Sequence, residues 1–154
     1  MKKDAVISKC GKYRYLLTRA WDSSKPGMLY IGLNPSTADD KKDDPTIRRA
    51  IQYAKDWGFG SLSVCNLFAF RATLPSDLKK AKDPVGKEND LWLMRESLRA
   101  EKIVAGWGNH GSFLNRSFEV RNLLGRLNHL GLTKTGEPKH PLYLRKDLKP
   151  IGFV

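Results

Sequence analysis

Side chains able to recognise a planar ligand follow three apolar runs of the sequence, at the point where each run ends. Asn34-Pro35-Ser36 follows the run that begins at Met28, Asn66 ends a second run, and Trp107 to His110 ends a third. A carboxamide donates and accepts hydrogen bonds at once, so Asn34 and Asn66 can each hold a water molecule or the edge of a ligand. The alternative is that Asn34 satisfies its own turn and Asn66 the neighbouring backbone.

The sequence contains three histidines, and their contexts differ. His129 lies beside Leu127 and Leu130 in an apolar stretch that we predict to be helical, which favours a structural role. His110 and His140 lie in predicted loops, where an imidazole can donate a proton or a hydrogen bond near neutral pH. A loop histidine whose partners are local is the alternative for both.

An acidic segment stands out in an otherwise basic chain. Asp39, Asp40, Asp43 and Asp44 alternate with two lysines. Clustered carboxylates can bind a divalent cation or act as a general base, and they can equally form a solvated loop. We expect Asp44 to cap a helix. Asp39 lies nearest the preceding strand and is the general-base candidate, with the capping of a local turn as its alternative.

Aromatic and basic side chains near these motifs could contact the rest of a ligand. Phe68 offers a stacking face and Arg71 a phosphate contact, whereas core packing and a solvated charge are the alternatives. Arg48 opens the first predicted helix, where the backbone dipole already favours anions. A surface ion pair with the acidic segment would explain Arg48 equally well.

Several classes of site lack their signatures in this chain. Neither GxGxxG nor GxxxxGK[ST] is present, which disfavours a phosphate-cradling loop and hydrolysis of nucleoside triphosphates. HExxH, GxSxG and the zinc-deaminase signature are also missing. The two cysteines, Cys10 and Cys65, cannot form a four-cysteine metal site, and we expect both to be reduced.

The chain of 154 residues suits one domain over residues 1–154, and its balance of charge is strongly basic. Lys and Arg total 28 against 16 acidic residues, a net charge of +12 that favours nucleic acid or another polyanion as partner. A basic protein with no polyanionic partner is the alternative. No stretch approaches the roughly 20 apolar residues of a membrane span, and no signal peptide is evident. We therefore expect a cytoplasmic protein that does not contact membranes.

Predicted strands and helices alternate along most of the chain. The elements are a hairpin over residues 4–19, a strand at 28–33, a helix capped by Asp44 and ending near Gly58, a strand at 61–67, a short helix near Ser76, a helix marked by Leu91, Met94 and Leu98, a strand at 103–107, a helix from Leu114 to Leu127, and a short strand after Gly131. This alternation predicts an α/β fold with a parallel sheet and helices on both faces. Ligands bind such sheets at the carboxyl ends of the strands.

The motifs resemble two families. Residues 28–39, 43–49, 57–60, 66–71 and 139–144 together resemble the uncharacterised family catalogued as domain of unknown function 1643, over nearly the whole chain. More remotely, Gly32-Leu33-Asn34-Pro35, Asn66, Trp107-Gly108 and His140-Pro141 resemble, in order, motifs of the uracil-DNA glycosylase superfamily. This second resemblance implies a three-layer α/β sandwich with a mainly parallel central sheet, to which the N-terminal hairpin is added.

The glycosylase resemblance also implies a reaction. A nucleotide would rotate out of the stack into a pocket at the strand ends. Asn34 would position the attacking water, His140 would stabilise charge on the leaving base, and Asn66 would select the base. The reaction implies no metal and no other cofactor, and its nucleic-acid partner would be DNA rather than RNA. The serine that follows His-Pro in the superfamily is Leu142 here, and Asp39 is our substitute for the missing strong base.

Three hypotheses of function follow. The leading one is a glycosylase-like enzyme that acts on an unusual or modified base. The second is a non-catalytic module that binds a nucleotide or a nucleic-acid end in the same pocket. The third is a metal-dependent nuclease or phosphoesterase built on Asp39, Asp43 and Asp44, whose activity a chelator would abolish.

Overall fold

A computed structural model describes residues 1–153 as one mixed sheet of seven strands with helices packed against it. The strands are β1 (Lys2–Ile7), β2 (Arg14–Ala20), β3 (Gly27–Gly32), β4 (Ser61–Asn66), β5 (Lys102–Ala105), β6 (Leu127–His129) and β7 (Ile151–Gly152). The helices are α1 (Pro45–Asp56), α2 (Pro75–Lys80), α3 (Asn89–Arg99) and α4 (Arg116–Leu124). Within residues 1–153, no helix combines the length and the apolar character needed to cross a bilayer.

The order of the strands reverses beside β3. The sheet runs β1-β2-β4-β3-β5-β6-β7, and the four strands β4, β3, β5 and β6 are parallel. From β3 the chain crosses to β4 on one side and later returns to β5 on the other. The loops that leave neighbouring strands then diverge, and a crevice opens at their carboxyl ends. The predicted hairpin of β1 and β2 is confirmed, and β2 extends the sheet by pairing antiparallel to β4.

Alternating side chains of the central strands pack into two cores, one on each face of the sheet. One core joins Met28, Tyr30, Val64 and Val104 of the strands to Ile47, Ala50 and Ala54 of α1. The other joins Leu29, Ile31, Cys65, Ile103 and Ala105 to Leu78 of α2, Leu93 of α3 and Val120 of α4. Helices therefore cover both faces, as predicted from the alternation of elements. Cys65 in the second core and the exposed Cys10 are both free.

Helix α1 begins and ends where the sequence predicts. The Asp44 carboxylate accepts a hydrogen bond of 2.9 Å from the Ile47 amide, and Pro45 occupies the first helical position. At the other end Gly58 takes φ of +86°, a conformation that glycine adopts without strain. The confirmed boundary matters for function because Asp44 is also the last residue of the loop that leaves β3.

Helix α3 is present as predicted, but the apolar residues that marked it do not form its buried face. Leu91, Met94 and Leu98 are exposed, Leu98 to 85%, whereas Leu93 is fully buried. The rotation is fixed by Asn89, whose Nδ2 donates to the backbone carbonyls of residues 66 and 67 at 2.9 and 3.0 Å. These bonds turn Leu93 toward the sheet and leave the leucine and methionine stripe on the surface.

The helix predicted from Leu114 to Leu127 is shorter and is interrupted. A 3-10 segment over Asn109–Asn115 precedes α4, and Leu114 and Asn115 both have positive φ at the junction. Gly125, at φ of +81°, ends α4. The chain then forms β6, so His129 lies in a strand rather than in a helix, and the short strand expected after Gly131 comes earlier in the chain.

Two alanine substitutions in α3 test the orientation of the helix. We expect Leu93→Ala to lower the free energy of unfolding by about 2–5 kcal/mol, because it leaves a cavity in a packed core. Leu98→Ala removes the same atoms from an exposed site and should change the free energy of unfolding by no more than about 0.5 kcal/mol. Urea denaturation monitored by circular dichroism measures both. Equal losses would show that the helix is turned differently.

Candidate functional site

A cleft of about 440 Å³ opens at the carboxyl ends of the central strands. It brings together seven of the residues predicted from the sequence: Asn34, Pro35, Ser36, Asn66, Trp107, His110 and His140. They come from the loops after β3 and β5, from the last residue of β4 and from the C-terminal segment. The volume falls within the range of roughly 300–1,000 Å³ that is usual for small-molecule sites.

Asn34 is held in one orientation by its own amide group. Its Nδ2 donates to the carbonyl of Pro35 at 3.0 Å and to that of Ala72 at 2.7 Å. Two carbonyl acceptors require the NH2 side of the carboxamide to face them. Oδ1 is therefore the atom that remains to accept a hydrogen bond from a ligand or a water molecule.

Asn66 brings an unsatisfied donor to the cleft. The residue is only 4% exposed, and within residues 1–153 its buried Nδ2 has no hydrogen-bond partner. A buried amide without a partner is costly, and a ligand acceptor would remove the cost. The close approach of Asn66 to β3 needs a glycine there, because a Cβ on Gly32 would lie 2.9 Å from Asn66 Oδ1.

His140 lines the cleft on its solvent side, where the residue stays exposed. Its Nδ1 accepts a hydrogen bond of 3.2 Å from the Leu142 amide, so the neutral ring carries its proton on Nε2. Desolvation by surrounding atoms lowers the pKa of His140, and the negative charge of Asp44 opposes that shift. The arrangement suits a neutral imidazole that donates through Nε2.

The C-terminal segment that contains His140 is fastened to the end of β5. The Gly108 amide donates to the Pro138 carbonyl at 2.9 Å. The Trp107 indole donates to Glu137 Oε1 at 3.0 Å, and its ring is only 2% exposed. Trp107 thus contributes by positioning the segment rather than by offering a free ring. His110 lies at the rim of the cleft and is exposed.

Asp39, the predicted general base, does not line the cleft. Its Oδ1 accepts hydrogen bonds from the amides of Lys41 and Lys42 at 2.9 and 2.8 Å. These bonds lower the pKa of Asp39. The side chain thus caps a turn, which was the alternative considered for it, and Asp44 is the carboxylate that lines the cleft instead.

Phe68, Arg71 and Arg48 also lie outside the cleft lining. Phe68 is fully buried in the core beneath α3 and packs on Phe113 with ring centroids 5.6 Å apart, so its face is not available for stacking. Arg71 donates to the Gly11 carbonyl, and the exposed Arg48 donates to the Asp43 carbonyl, both at 3.3 Å. Neither arginine is placed to hold a ligand that occupies the cleft.

The acidic segment does not gather into a metal-binding group. Asp43 pairs with Arg19 at 2.8 Å and with Lys3 at 3.4 Å, while Asp44 caps α1. Across the described part of the chain, no three His, Cys, Asp or Glu side chains are placed to hold a metal ion together. The described residues therefore offer no cluster of metal ligands that would support the hypothesis of a metal-dependent nuclease.

Two buried residues of the lining, Arg14 and Tyr30, are absent from the sequence prediction. The Tyr30 hydroxyl donates to the Gly106 carbonyl at 3.1 Å, which joins β3 to the end of β5. Burial raises the pKa of Tyr30, so its hydroxyl stays protonated. Arg14 is 2% exposed. The signal available in the sequence was an arginine near the apolar Leu16-Leu17 of a predicted strand. A strand of this kind buries its side chains, and a buried arginine needs a specific partner or ligand.

Comparison with known proteins gives a family but no activity. A family model described as "Protein of unknown function (DUF1643)" matches residues 14–142. The chain belongs to this family. No curated protein and no solved structure matches it. The predicted family membership is confirmed, whereas the resemblance to the uracil-DNA glycosylase superfamily rests on the motifs alone.

The coupling of His140 to Asp44 can be tested by titration. We expect an NMR titration to give His140 a pKa below its ordinary value of 6.5, and Asp44→Asn to lower it further by removing a negative charge. Asparagine still caps a helix, so α1 should persist. Since folding depresses this pKa, the contribution of His140 to stability is full above pH 6.5 and declines as the pH falls through that value.

The exposed Asp40 provides the control, because it lies outside the cleft lining. Asp40→Asn removes the same charge and should leave the His140 titration unchanged. A His140 pKa that does not respond to Asp44→Asn would place the two side chains too far apart to act on one ligand.

Proposed function

We propose that the cleft binds the base of a nucleotide and hydrolyses its N-glycosidic bond. The observation that carries the proposal is that Asn34, Asn66 and His140, from three distant parts of the chain, line one concave site. Each has the hydrogen-bonding capacity that one step of the reaction needs. The glycosylase-like motifs supplied the hypothesis, and the placement of these side chains supports it.

Asn34 positions the water in this mechanism. Its Nδ2 is occupied by two backbone carbonyls, so Oδ1 accepts a hydrogen bond from the water and directs the water oxygen at the anomeric carbon of the sugar. An amide cannot take the proton that the water loses. Asp44 accepts it, because it is the carboxylate among the lining residues of the cleft.

His140 stabilises the leaving base. As the bond between the anomeric carbon and the base nitrogen breaks, its electron pair moves onto the base. Nε2–H of the neutral imidazole donates a hydrogen bond to the negative charge that develops there. The Leu142 amide keeps the ring in the required tautomer by donating to Nδ1.

Asn66 reads the base. Its buried Nδ2 has no protein partner among residues 1–153, and an acceptor on the edge of a base would satisfy it. Because an unpaired buried donor is costly, a base without that acceptor would be rejected. The net charge of +12 favours a nucleic-acid ligand, with DNA as the expected partner, and a base in a duplex would have to leave the stack to enter the cleft.

The test is the release of bases from DNA that carries a panel of modified bases, measured by chromatography. We expect Asn34→Ala to slow release by about 100-fold or more, because a misplaced water loses its near-attack geometry. Thr37→Ala is the control, since Thr37 is exposed in the same loop but does not line the cleft. Thermal denaturation of both variants separates loss of chemistry from loss of fold.

Unchanged release by Asn34→Ala would refute the assigned site. Tight binding by the wild-type protein without release of any base would instead identify the cleft as a non-catalytic binding module.

A further inference from the structure

Three arginines of the structure are almost completely buried, and they differ in their partners. Arg19 forms an ion pair with Asp43 at 2.8 Å, and Arg116 forms one with Asp90 at the same distance. Arg14 is 2% exposed, but within residues 1–153 no carboxylate lies within 4.0 Å of it. Buried charges are normally paired, so the lack of an ion pair at Arg14 needs an explanation.

The guanidinium of Arg14 is only partly satisfied by the protein. Nη1 donates to the Ala38 carbonyl at 2.9 Å, while the buried Nε has no partner among the described residues. Burial lowers the pKa of Arg14 to about 10, which still leaves the group charged at neutral pH. Unlike Arg19 and Arg116, Arg14 lines the cleft.

Other hydrogen-bond donors belong to residues that line the same cleft. The Asn66 Nδ2 is buried without a partner, and the N-terminal end of α1 lines the cleft through Thr46 and Ile47. The N-terminus of a helix attracts anions through its free amides and its dipole. The carboxylate of Asp44 is partly engaged there, since its Oδ1 accepts from the Ile47 amide. The cleft therefore offers a buried cation that forms no ion pair; the charge of Asp44, which also lines the cleft, acts on Arg14 only from beyond 4.0 Å.

We infer that Arg14 forms an anion subsite that binds the terminal phosphate of the nucleotide whose base occupies the cleft. A guanidinium matches phosphate oxygens in geometry and charge, and these charge-assisted bonds are among the strongest in proteins. The inference rests on the proposed function and narrows its substrate class. It also explains why a buried cation is retained beside the cleft without an ion pair.

The burial of Arg14 favours a terminal phosphate over an internal one. Only a small part of the side chain is accessible, so a group at the end of a ligand can reach it. An internal phosphodiester continues into sugar on both sides and would have to carry both into the cleft. A free nucleoside 5′-monophosphate and a strand with a 5′-phosphate share the required chemistry.

Calorimetric titration of the full chain tests the subsite. One series uses a nucleoside, its 5′-monophosphate and inorganic phosphate, and a second uses one oligonucleotide with and without a 5′-phosphate. We expect the monophosphate to bind at least about 10-fold more tightly than the nucleoside, which corresponds to one charge-assisted hydrogen bond. Arg14→Gln should reduce its affinity to that of the nucleoside, and Arg14→Lys should give an intermediate loss.

Arg48→Gln is the matched control, because it removes the same charge from an exposed site outside the cleft. Inorganic phosphate should raise the melting temperature of the wild type and of this control but not that of Arg14→Gln. We expect Arg14→Gln to fold, because a buried charge without an ion pair is costly and the substitution removes that charge. If it does not, Arg14→Lys and the wild-type comparison of nucleotide with nucleoside still decide the question.

Equal affinity of the wild type for nucleoside and monophosphate would overturn the inference, as would full phosphate binding by Arg14→Gln. A preference for the strand without a 5′-phosphate would overturn the assignment to a terminal group. Phosphate binding through Arg14 with no release of any base would leave the subsite standing and refute the proposed hydrolysis. Release of a base without any preference for phosphate would support the proposed hydrolysis and refute the subsite.

Discussion

Two arginines of strand β2 hold the loop on which the cleft depends. The connection from β3 to α1 lacks the regular hydrogen bonds of a strand or a helix, so its backbone carbonyls need other donors. Arg14 donates to the Ala38 carbonyl, and Arg19 donates to the carbonyls of Asp39 and Lys42 and to the Asp43 carboxylate. Guanidinium groups are suited to this because several donors lie in one rigid plane. The hairpin thus fixes the loop from the neighbouring part of the sheet.

Fixing that loop sets the positions of the groups at its two ends. Asn34 lies where the loop leaves β3, and Asp44 lies where it enters α1. Between them the chain could adopt many conformations, each of which would move the amide and the carboxylate relative to one another. The bonds from Arg14 and Arg19 remove that freedom, so the cleft is preorganised before a ligand binds.

Local signals in the sequence predict the framework, and long-range contacts decide the rest. Asp44-Pro45 marks the start of α1 because a cap and its helix are neighbours in the chain. The rotation of α3 has no such signal, since it depends on bonds from Asn89 to carbonyls more than twenty residues earlier. The sequence also gives no local signal for Arg14 as a cleft residue. Arg14 reaches the cleft only because β2 pairs with β4, which lies far from it in the chain. The same limit explains why the sequence favoured Asp39, nearest the strand in the chain, over Asp44, which lines the cleft.

The C-terminal segment adds the imidazole to the site through a different face of α1. Arg49, Tyr53 and Trp57 lie four residues apart, on one side of the helix, and each donates to a backbone carbonyl of the segment between Pro141 and Leu148. Helix α1 therefore has Asp44 as its N-cap and holds the chain that follows His140 along its length. The loop that carries Asn34 and the segment that carries His140 are attached to the same rigid element. Their separation is set by the helix, even though Asn34 and His140 lie at opposite ends of the domain sequence.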